Sequence, residues 1–196
     1  MSNIVNKHNG IWEWHNVIEG PQQIVSSIQD DEWQYYTNIG GGETIIGRSA
    51  FVWPINPMHS VIMKAFFDCV QEYSDGNGLS FTNENVGQSW IIVREYNPGS
   101  KMSAHGDGYS YVKKDGQHVI PSLTAILYIN DDYEGGEINF IHDDICISPK
   151  AGSIVVFPSN KWHEVLEVTS GNRHMVQTYV YEHESSYYDP YFEDPI

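Results

Sequence analysis

Two histidines and one aspartate are spaced so that they could bind a single metal ion. His105 and Asp107 are separated by one residue, and in an extended segment residues i and i+2 project from the same face. His163 lies further along, in a second segment predicted to be a strand. Two imidazoles and one carboxylate on one side of a metal leave the opposite coordination positions open, which suits non-haem Fe(II). Any one of the nine histidines, taken alone, could equally be an ordinary polar surface residue.

An arginine, Arg173, opens the last long predicted strand, ten residues after His163. Alternation places Arg173, Met175, Gln177 and Tyr179 on one face of that strand. A guanidinium can pair with a carboxylate through two parallel charge-assisted hydrogen bonds. Arg173 is therefore a candidate anchor for a dicarboxylate cosubstrate, and the alternative is a surface arginine in an ion pair.

These residues belong to an ordered series of short motifs. In chain order the motifs are Tyr96-x-x-Gly99, His105-x-Asp107, Leu127-Tyr128-Ile129-Asn130, Gly135-Gly136-Glu137, Pro149-x-x-Gly152, His163-x-Val165 and Gly171-x-Arg173. The series closely resembles the prolyl 4-hydroxylase-like branch of the 2-oxoglutarate/Fe(II)-dependent dioxygenase superfamily. The resemblance covers about Ile91 to Tyr181, close to half of the chain.

The resemblance implies a double-stranded β-helix (jelly-roll) core with N-terminal helices packed on one sheet. It implies Fe(II) at the two histidines and the aspartate, 2-oxoglutarate as cosubstrate, O₂ as oxidant and ascorbate as reductant. Tyr128 would hydrogen-bond the 2-oxoglutarate carboxylate that Arg173 pairs with, and Tyr96 would line the same pocket. Alternation agrees, since Tyr128 shares a face with Thr124 and Ile126. For either tyrosine, the alternative is a core aromatic residue with a satisfied hydroxyl.

The implied reaction is hydroxylation of an unactivated C–H bond, coupled to oxidative decarboxylation of 2-oxoglutarate to succinate and CO₂. The resemblance favours a prolyl residue in a peptide or protein as the substrate, with a free amino acid or another small molecule as the alternative. A jelly-roll protein that binds a metal or small ligand without catalysis is a further alternative. A cupin-type dioxygenase independent of 2-oxoglutarate would leave Arg173 unexplained, and it usually has a third histidine in place of Asp107.

Two comparisons with related branches of the superfamily limit the possible classes of substrate. Prolyl hydroxylases of collagen-type chains usually have Lys at the position of Arg173. Relatives that demethylate nucleic acids carry a second Arg six residues later, where this chain has Tyr179. With 26 acidic against 10 basic residues, the chain has a net charge of −16, which repels a phosphate backbone. We therefore expect no nucleic-acid substrate.

Length and composition indicate one cytoplasmic domain. A chain of 196 residues, 40% of them hydrophobic, can bury one core and leaves little room for a second. There is no apolar run long enough to span a membrane and no secretory signal core, so we expect a cytoplasmic protein with no membrane partner. Cys69 and Cys146 are predicted to be free thiols rather than a disulfide. The sequence specifies no oligomeric state.

Helices are predicted in the first half of the chain and short strands in the second. A short helix follows Pro21, and a longer one runs from about Pro57 to Tyr73 with apolar residues at three- and four-residue spacing. From about residue 89, strands alternate with turns rich in Gly, Pro, Asn and Asp, which is typical of an antiparallel sandwich or barrel. The strand candidates are Ser89–Tyr96, Ser122–Asn130, Glu137–Ile141, Ser153–Phe157, Trp162–Leu166 and Arg173–Glu182.

We thus predict an α+β, mainly β, chain with a single Fe(II)/2-oxoglutarate dioxygenase domain spanning 1–196. Its parts are a helical and loop support region (1–88), a jelly-roll core (89–183) and an acidic tail (184–196). Two loops, Gly108–Pro121 and Gly40–Trp53, are candidates for substrate specificity, because loops on a rigid barrel often carry it. The alternative is that both are plain surface loops. The tail could dock a partner, close a dimer or form a disordered end.

Overall fold

The computed structural model describes residues 3–35, 47–79, 86–88, 91–107, 111–112, 118–119, 121–148 and 150–182. The predicted acidic tail lies outside the described residues, as do 40–46 and most of 108–120. Two α-helices are present in the described part, α1 (Gln22–Ser26) and α2 (His59–Asn77), with a 3₁₀ turn at Asp30–Glu32. None of these helices is long and apolar enough to cross a membrane.

Short strands make up most of the rest. They are β1 (Asn3–His8), β2 (Ile11–His15), β3 (Gln34–Tyr35), β4 (Arg48–Phe51), β5 (Val86–Gln88), β6 (Ile92–Tyr96), β7 (Met102–His105), β8 (Tyr111–Val112), β9 (His118–Val119), β10 (Leu123–Tyr128), β11 (Glu134–Gly135), β12 (Ile138–Phe140), β13 (Ile145–Ile147), β14 (Ile154–Pro158), β15 (His163–Val165), β16 (Val168–Ser170) and β17 (Arg173–Glu182). Each of the six strand candidates from the sequence overlaps one of them, so those predictions are confirmed.

Two antiparallel sheets face each other across a shared core. The larger follows the order β1-β2-β14-β10-β17-β6-β4-β3, with β5 on β17, and the smaller follows β13-β12-β15-β7. Ile126 and Met175 of the larger sheet lie in one buried cluster with Ile138, Phe140 and Val165 of the smaller. Antiparallel sheets closed over one core form the jelly roll that the sequence predicted.

The outer face of the larger sheet packs against α2. Along α2, the buried residues Ile62, Phe66 and Cys69 recur at three- and four-residue spacing and join a second cluster with Leu123 and Val176 of the sheet. The helix ends at Gly78, which has a φ of 66° and so adopts the left-handed conformation that glycine tolerates. This confirms the prediction of N-terminal helices packed on one sheet.

Alternation along two central strands decides which residues point between the sheets. In β10, Ile126 and Tyr128 belong to the inner cluster, whereas Ala125 and Leu127 belong to the outer one. In β17, Met175 faces inward, and its neighbour Val176 faces α2. The predicted faces of both strands are confirmed.

The first 88 residues contain more β structure than the sequence predicted, and the description of that region as helix and loop is wrong for β1 to β5. Asn9 and Gly10 join β1 to β2 with φ values of 47° and 76°, the left-handed pair that a two-residue type I′ hairpin turn requires. β2 then pairs with β14, with Trp12 opposite Val156. The short alternation of β2 was obscured because it includes Glu13, which is only 8% exposed.

Candidate active site

His105, Asp107 and His163 converge where the two sheets meet. His105 ends β7, His163 begins β15, and the two are register partners on neighbouring strands. Asp107 follows β7, and its backbone N–H donates to the Ser159 carbonyl at 2.7 Å. One candidate ligand atom from each of the three side chains can be chosen so that all lie within 4.8 Å of one another. The triad that the sequence predicted is thus brought together at the spacing of groups around one metal ion.

Backbone hydrogen bonds determine which ring nitrogen each histidine presents. His105 Nδ1 lies 2.8 Å from the Ser103 carbonyl oxygen, and His163 Nδ1 lies 2.9 Å from that of Lys161. Because a carbonyl can only accept, each Nδ1 carries the proton, and each neutral ring keeps the lone pair of Nε2 free for a metal. The two Nε2 atoms lie 3.5 and 3.6 Å from the two carboxylate oxygens of Asp107.

The carboxylate of Asp107 is buried and held from both sides. Thr124 Oγ1 donates to Oδ2 at 2.8 Å, and Tyr179 Oη donates to Oδ1 at 3.3 Å. Since the single hydroxyl proton of Thr124 goes to Asp107, Ser159 Oγ must be the donor in its 2.9 Å contact with Thr124. These partners fix the orientation of the carboxylate before any ligand binds.

The sequence did not assign Thr124, Ser159 or Tyr179 to the site. The signal available for Thr124 was its place on the same face as Tyr128. The signal available for Tyr179 was its place on the same face of the last strand as Arg173. No motif marked Ser159.

Burial and nearby charges set the protonation of the triad. Burial raises the pKa of the Asp107 carboxyl, but its close contacts with His105 and His163, whose protonated rings would attract the carboxylate, outweigh burial, so the net shift is downward. Burial acts to lower the pKa of His105, but Asp107 raises it further than burial lowers it, and the nearby Arg94 charge opposes protonation. Burial lowers the pKa of His163. An ionised Asp107 and a neutral His163 are the protonation states that metal binding requires.

Arg173, at the start of β17, is fully buried and pairs in register with Tyr96 of β6. Its guanidinium carbon lies 4.7 Å from the ring centroid of Tyr96 and 5.2 Å from that of Tyr128. Within the described part of the chain, nothing accepts a hydrogen bond from its Nε or its two terminal nitrogens. The hydroxyls of Tyr96 and Tyr128 are also buried and without partners there. Unpaired buried groups of this kind are costly, and an anion would satisfy them.

A carboxylate fits this cluster well. Burial raises the pKa of the Tyr128 hydroxyl, so that it stays protonated and can donate alongside Arg173. Gly136 makes the room, because it has a φ of 70° and an added Cβ would lie only 2.8 Å from Arg173 Cδ. The Gly-Gly motif of the sequence thus has a packing role beside the arginine.

Apolar side chains separate the Arg173 cluster from the triad. On the inner face of β10, Thr124 contacts Asp107 and Tyr128 lies beside Arg173. Thr124 and Tyr128 are four residues apart, about 13 Å along a strand. Ile126 lies between them, and both it and Met175 are buried. The interior therefore offers polar groups at both ends, with the apolar side chain of Ile126 between them on β10. This pattern fits 2-oxoglutarate, which carries two methylene groups between its oxygens.

A hydrogen-bonded chain leads from β6 to the triad. Arg94 Nε donates to Gln177 Oε1 at 3.2 Å, and Gln177 Nε2 donates to Tyr179 Oη at 2.9 Å. Tyr179 in turn donates to Asp107. Arg94 is half-buried on the same inner face of the sheet as Tyr96, two residues away.

Arg48, from one of the two predicted specificity loops, lies on the other face of the sheet. Its guanidinium donates from Nε at 2.9 Å and from a terminal nitrogen at 3.0 Å to the two carboxylate oxygens of Glu95. His174 Nε2 lies 2.8 Å from the same carboxylate. Since Glu95 and His174 directly neighbour Tyr96 and Arg173 in their strands, they point to the opposite side.

Comparison with known proteins shows similarity to one superfamily. Residues 91–181 match the model of the 2OG-Fe(II) oxygenase superfamily. A PKHD-type hydroxylase of Prochlorococcus marinus (strain NATL1A) is 37% identical over 116 residues, covering 55% of this chain and 45% of the relative. One of Paraburkholderia xenovorans (strain LB400) is 31% identical over 121 residues, covering 59% and 53%. The chain thus spans about half the length of these curated relatives.

Solved structures share the fold at low sequence identity. A viral collagen prolyl hydroxylase from Paramecium Bursaria Chlorella virus-1, in complex with 2OG, has a TM-score of 0.68 at 15% identity, covering 89% of this chain and 96% of that one. A Pseudomonas putida prolyl-4-hydroxylase has a TM-score of 0.64 at 20% identity, covering 88% and 92%. The motif series, the sequence matches and the jelly roll therefore agree that residues 91–181 are similar to the 2OG-Fe(II) oxygenase superfamily.

Proposed function

We propose that this protein is an Fe(II)- and 2-oxoglutarate-dependent dioxygenase that hydroxylates a prolyl residue in a peptide or protein. The observation that carries the proposal is the buried guanidinium of Arg173, which has no hydrogen-bond partner in the described part of the chain. It lies on the inner face of the larger sheet, which also carries Thr124 and Tyr179, the residues that hold Asp107. A metal-binding jelly roll without a dicarboxylate cosubstrate has no use for such a cation. If no anion bound there, an apolar residue in place of Arg173 would give an equally stable or more stable core.

The roles of the residues follow from their contacts. His105, Asp107 and His163 hold Fe(II), the histidines through the Nε2 atoms that their backbone contacts leave free. Arg173 and Tyr128 bind the far carboxylate of 2-oxoglutarate, and Tyr96 lines the same pocket and adds a hydroxyl. Iron with 2-oxoglutarate and O₂ supplies the oxidising power for C–H hydroxylation, releasing succinate and CO₂. The protein supplies orientation and excludes water.

The choice of substrate rests on similarity. The matched relatives are named PKHD-type hydroxylases. A structural neighbour from Trichoplax adhaerens, with a TM-score of 0.64 at 18% identity, is a prolyl hydroxylase in complex with a hypoxia inducible factor peptide fragment. A free amino acid or another small molecule is the second candidate, because the same iron and cosubstrate chemistry would serve it.

Anaerobic titration of Fe(II)-loaded protein with 2-oxoglutarate tests the metal and cosubstrate assignments. We expect the weak visible charge-transfer band of an Fe(II)–2-oxoglutarate chelate in the wild type and its loss in Asp107→Ala. Asp68→Ala removes an exposed aspartate from α2 and should keep the band. Absence of the band in metal-replete wild type would contradict the oxygenase assignment and favour a binding protein without catalysis.

Aerobic turnover then tests the substrate. Proline-containing peptides and their alanine counterparts are compared with free L-proline, and succinate and the mass gain of one oxygen atom are measured. Stimulation by the proline peptides alone supports the proposal. Stimulation by L-proline alone would move the assignment to a free amino acid.

A further inference from the structure

The chain contains three arginines, and they divide sharply by environment. Arg48 forms a two-pronged ion pair with Glu95. Arg94 and Arg173 both face the interior between the sheets, and neither has a carboxylate partner within the described part of the chain. In a protein with 26 acidic residues, two inward-facing arginines without a carboxylate partner in the described ranges suggest that each meets an anion from a bound molecule.

The far carboxylate of 2-oxoglutarate accounts for Arg173 and leaves Arg94 unassigned. Arg94 is half-buried, whereas Arg173 is fully buried, so the two cations lie at different depths. Arg94 donates a hydrogen bond from Nε to the neutral side-chain amide of Gln177, which fixes the guanidinium. Its two terminal nitrogens have no described partner. The Gln177–Tyr179 link places Arg94 three hydrogen bonds from Asp107.

A purely positioning role explains only part of this arrangement. Gln177 could be held by any hydrogen-bond donor, and a neutral side chain would avoid bringing a cation close to a site that must bind Fe(II). Arg94 is joined to Asp107 through Gln177 and Tyr179, which brings its positive charge close to the metal-binding residues. Such a placement is unfavourable for metal binding unless an anion neutralises it during the catalytic cycle.

We propose that Arg94 recognises a carboxylate carried by the substrate close to the carbon that is hydroxylated. The proposal rests on the function proposed above and names the chemical class of its substrate. The carboxylate is either the α-carboxylate of a free amino acid or an acidic side chain beside the target residue in a peptide. Because the chain has a net charge of −16, such a substrate approaches against the overall charge, and a local cation is needed to bind it.

The test measures binding without turnover, in protein loaded with Zn(II) and 2-oxoglutarate. Calorimetric titration compares two matched pairs of probes: L-proline with L-prolinamide, and C-terminally amidated proline pentapeptides that carry Asp or Asn beside the proline. We expect one carboxylate probe to bind about ten- to a hundredfold more tightly than its amide partner, as a charge-assisted hydrogen bond predicts. The pair that shows the difference identifies the source of the carboxylate.

Three variants assign the effect to Arg94. Arg94→Met should abolish the preference for the carboxylate probe while leaving 2-oxoglutarate affinity unchanged, and Arg94→Lys should keep part of the preference. Lys64→Met removes the same charge from an exposed position on α2 and should keep all of it.

Equal binding of each carboxylate and its amide, or a preference that survives Arg94→Met, overturns the proposal. So does a loss of 2-oxoglutarate affinity in Arg94→Met, which would assign Arg94 to the cosubstrate. The charge-transfer band of the wild type separates these outcomes from failure of the proposed function, because the band does not depend on any substrate.

Discussion

Replacing Arg173 with methionine should make the ligand-free protein no less stable and yet abolish its response to 2-oxoglutarate. Methionine is unbranched and fills the space of the arginine stem without adding a polar group. The substitution removes three buried nitrogens that have no hydrogen-bond partner in the described part of the chain. A residue kept for binding rather than for folding should behave in this way.

The magnitudes follow from the contacts. The variant loses the interactions of the guanidinium with the Tyr96 and Tyr128 rings, each worth about 0.5–2 kcal/mol. It also escapes the cost of a buried unpaired cation, and replacement of buried charges by apolar residues is often neutral or stabilising by about 1–4 kcal/mol. Two charge-assisted hydrogen bonds to a carboxylate contribute about 3–6 kcal/mol, so 2-oxoglutarate affinity should fall by at least about a hundredfold.

Thermal unfolding of Zn(II)-loaded protein measures both effects together. At a 2-oxoglutarate concentration about a hundred times its dissociation constant, the wild type should gain about 2.7 kcal/mol, and Arg173→Met should gain almost nothing. Arg48→Met is the matched control, because that arginine is paired with Glu95 on the other face of the sheet. The control should lose stability without ligand and keep the full 2-oxoglutarate response. An Arg173→Met protein that is destabilised but still stabilised by 2-oxoglutarate would refute the reasoning.

Two further substitutions probe the surroundings of the site. Thr124→Val removes the donor to Asp107 at nearly constant shape and should weaken Mn(II) binding by about ten- to a hundredfold, measured by titration, with little change in the far-UV circular dichroism. Glu95→Gln tests a pH dependence: hydrogen bonding from His174 and then from Arg48 outweighs burial and lowers the pKa of Glu95 from 4.5 to about 2. Because the folded-state pKa is the lower one, this carboxylate stabilises the protein above pH 4.5 and loses its contribution as the pH falls towards 2. Urea unfolding should therefore show that Glu95→Gln is less stable than the wild type by at most about 3 kcal/mol at neutral pH. The difference in free energy of unfolding should shrink in acid. An equal difference at pH 3 and pH 7 would contradict the lowered pKa of Glu95.

The sequence was most informative where local pattern and chemistry coincide. β10 and β17 are regular strands, so the order of residues alone predicts that Tyr128 shares a face with Thr124, and Arg173 with Tyr179. His105 and Asp107 are two residues apart on one extended segment, so both side chains could reach one metal ion, and the surrounding motif series made that prediction specific. The many short strands separated by turns indicated an antiparallel sandwich or barrel, and the family resemblance specified the jelly roll.

The residues that hold Asp107 could not be found in this way, because sheet register rather than local spacing brings them together. Thr124 lies opposite Tyr179 on one side and Phe157, two residues before Ser159, on the other. These segments are far apart in the chain. The hairpin of β1 and β2 was missed for a different reason. Its Asn-Gly turn is a strong hairpin signal, but the strand that follows is short and includes a buried Glu13.

The pairing of β2 with β14 also determines when the larger sheet can be completed during synthesis. Trp12 and Trp14 of β2 lie opposite Val156 and Ile154. At about 5–20 residues per second, a ribosome needs on the order of ten seconds to make the chain between these partners. During that interval neither indole has its sheet partner, and the hydrogen-bonding edge of β2 is open to other chains. Pairing with β14 closes that edge, so we expect the edge of β2 to become protected only after β14 has been made.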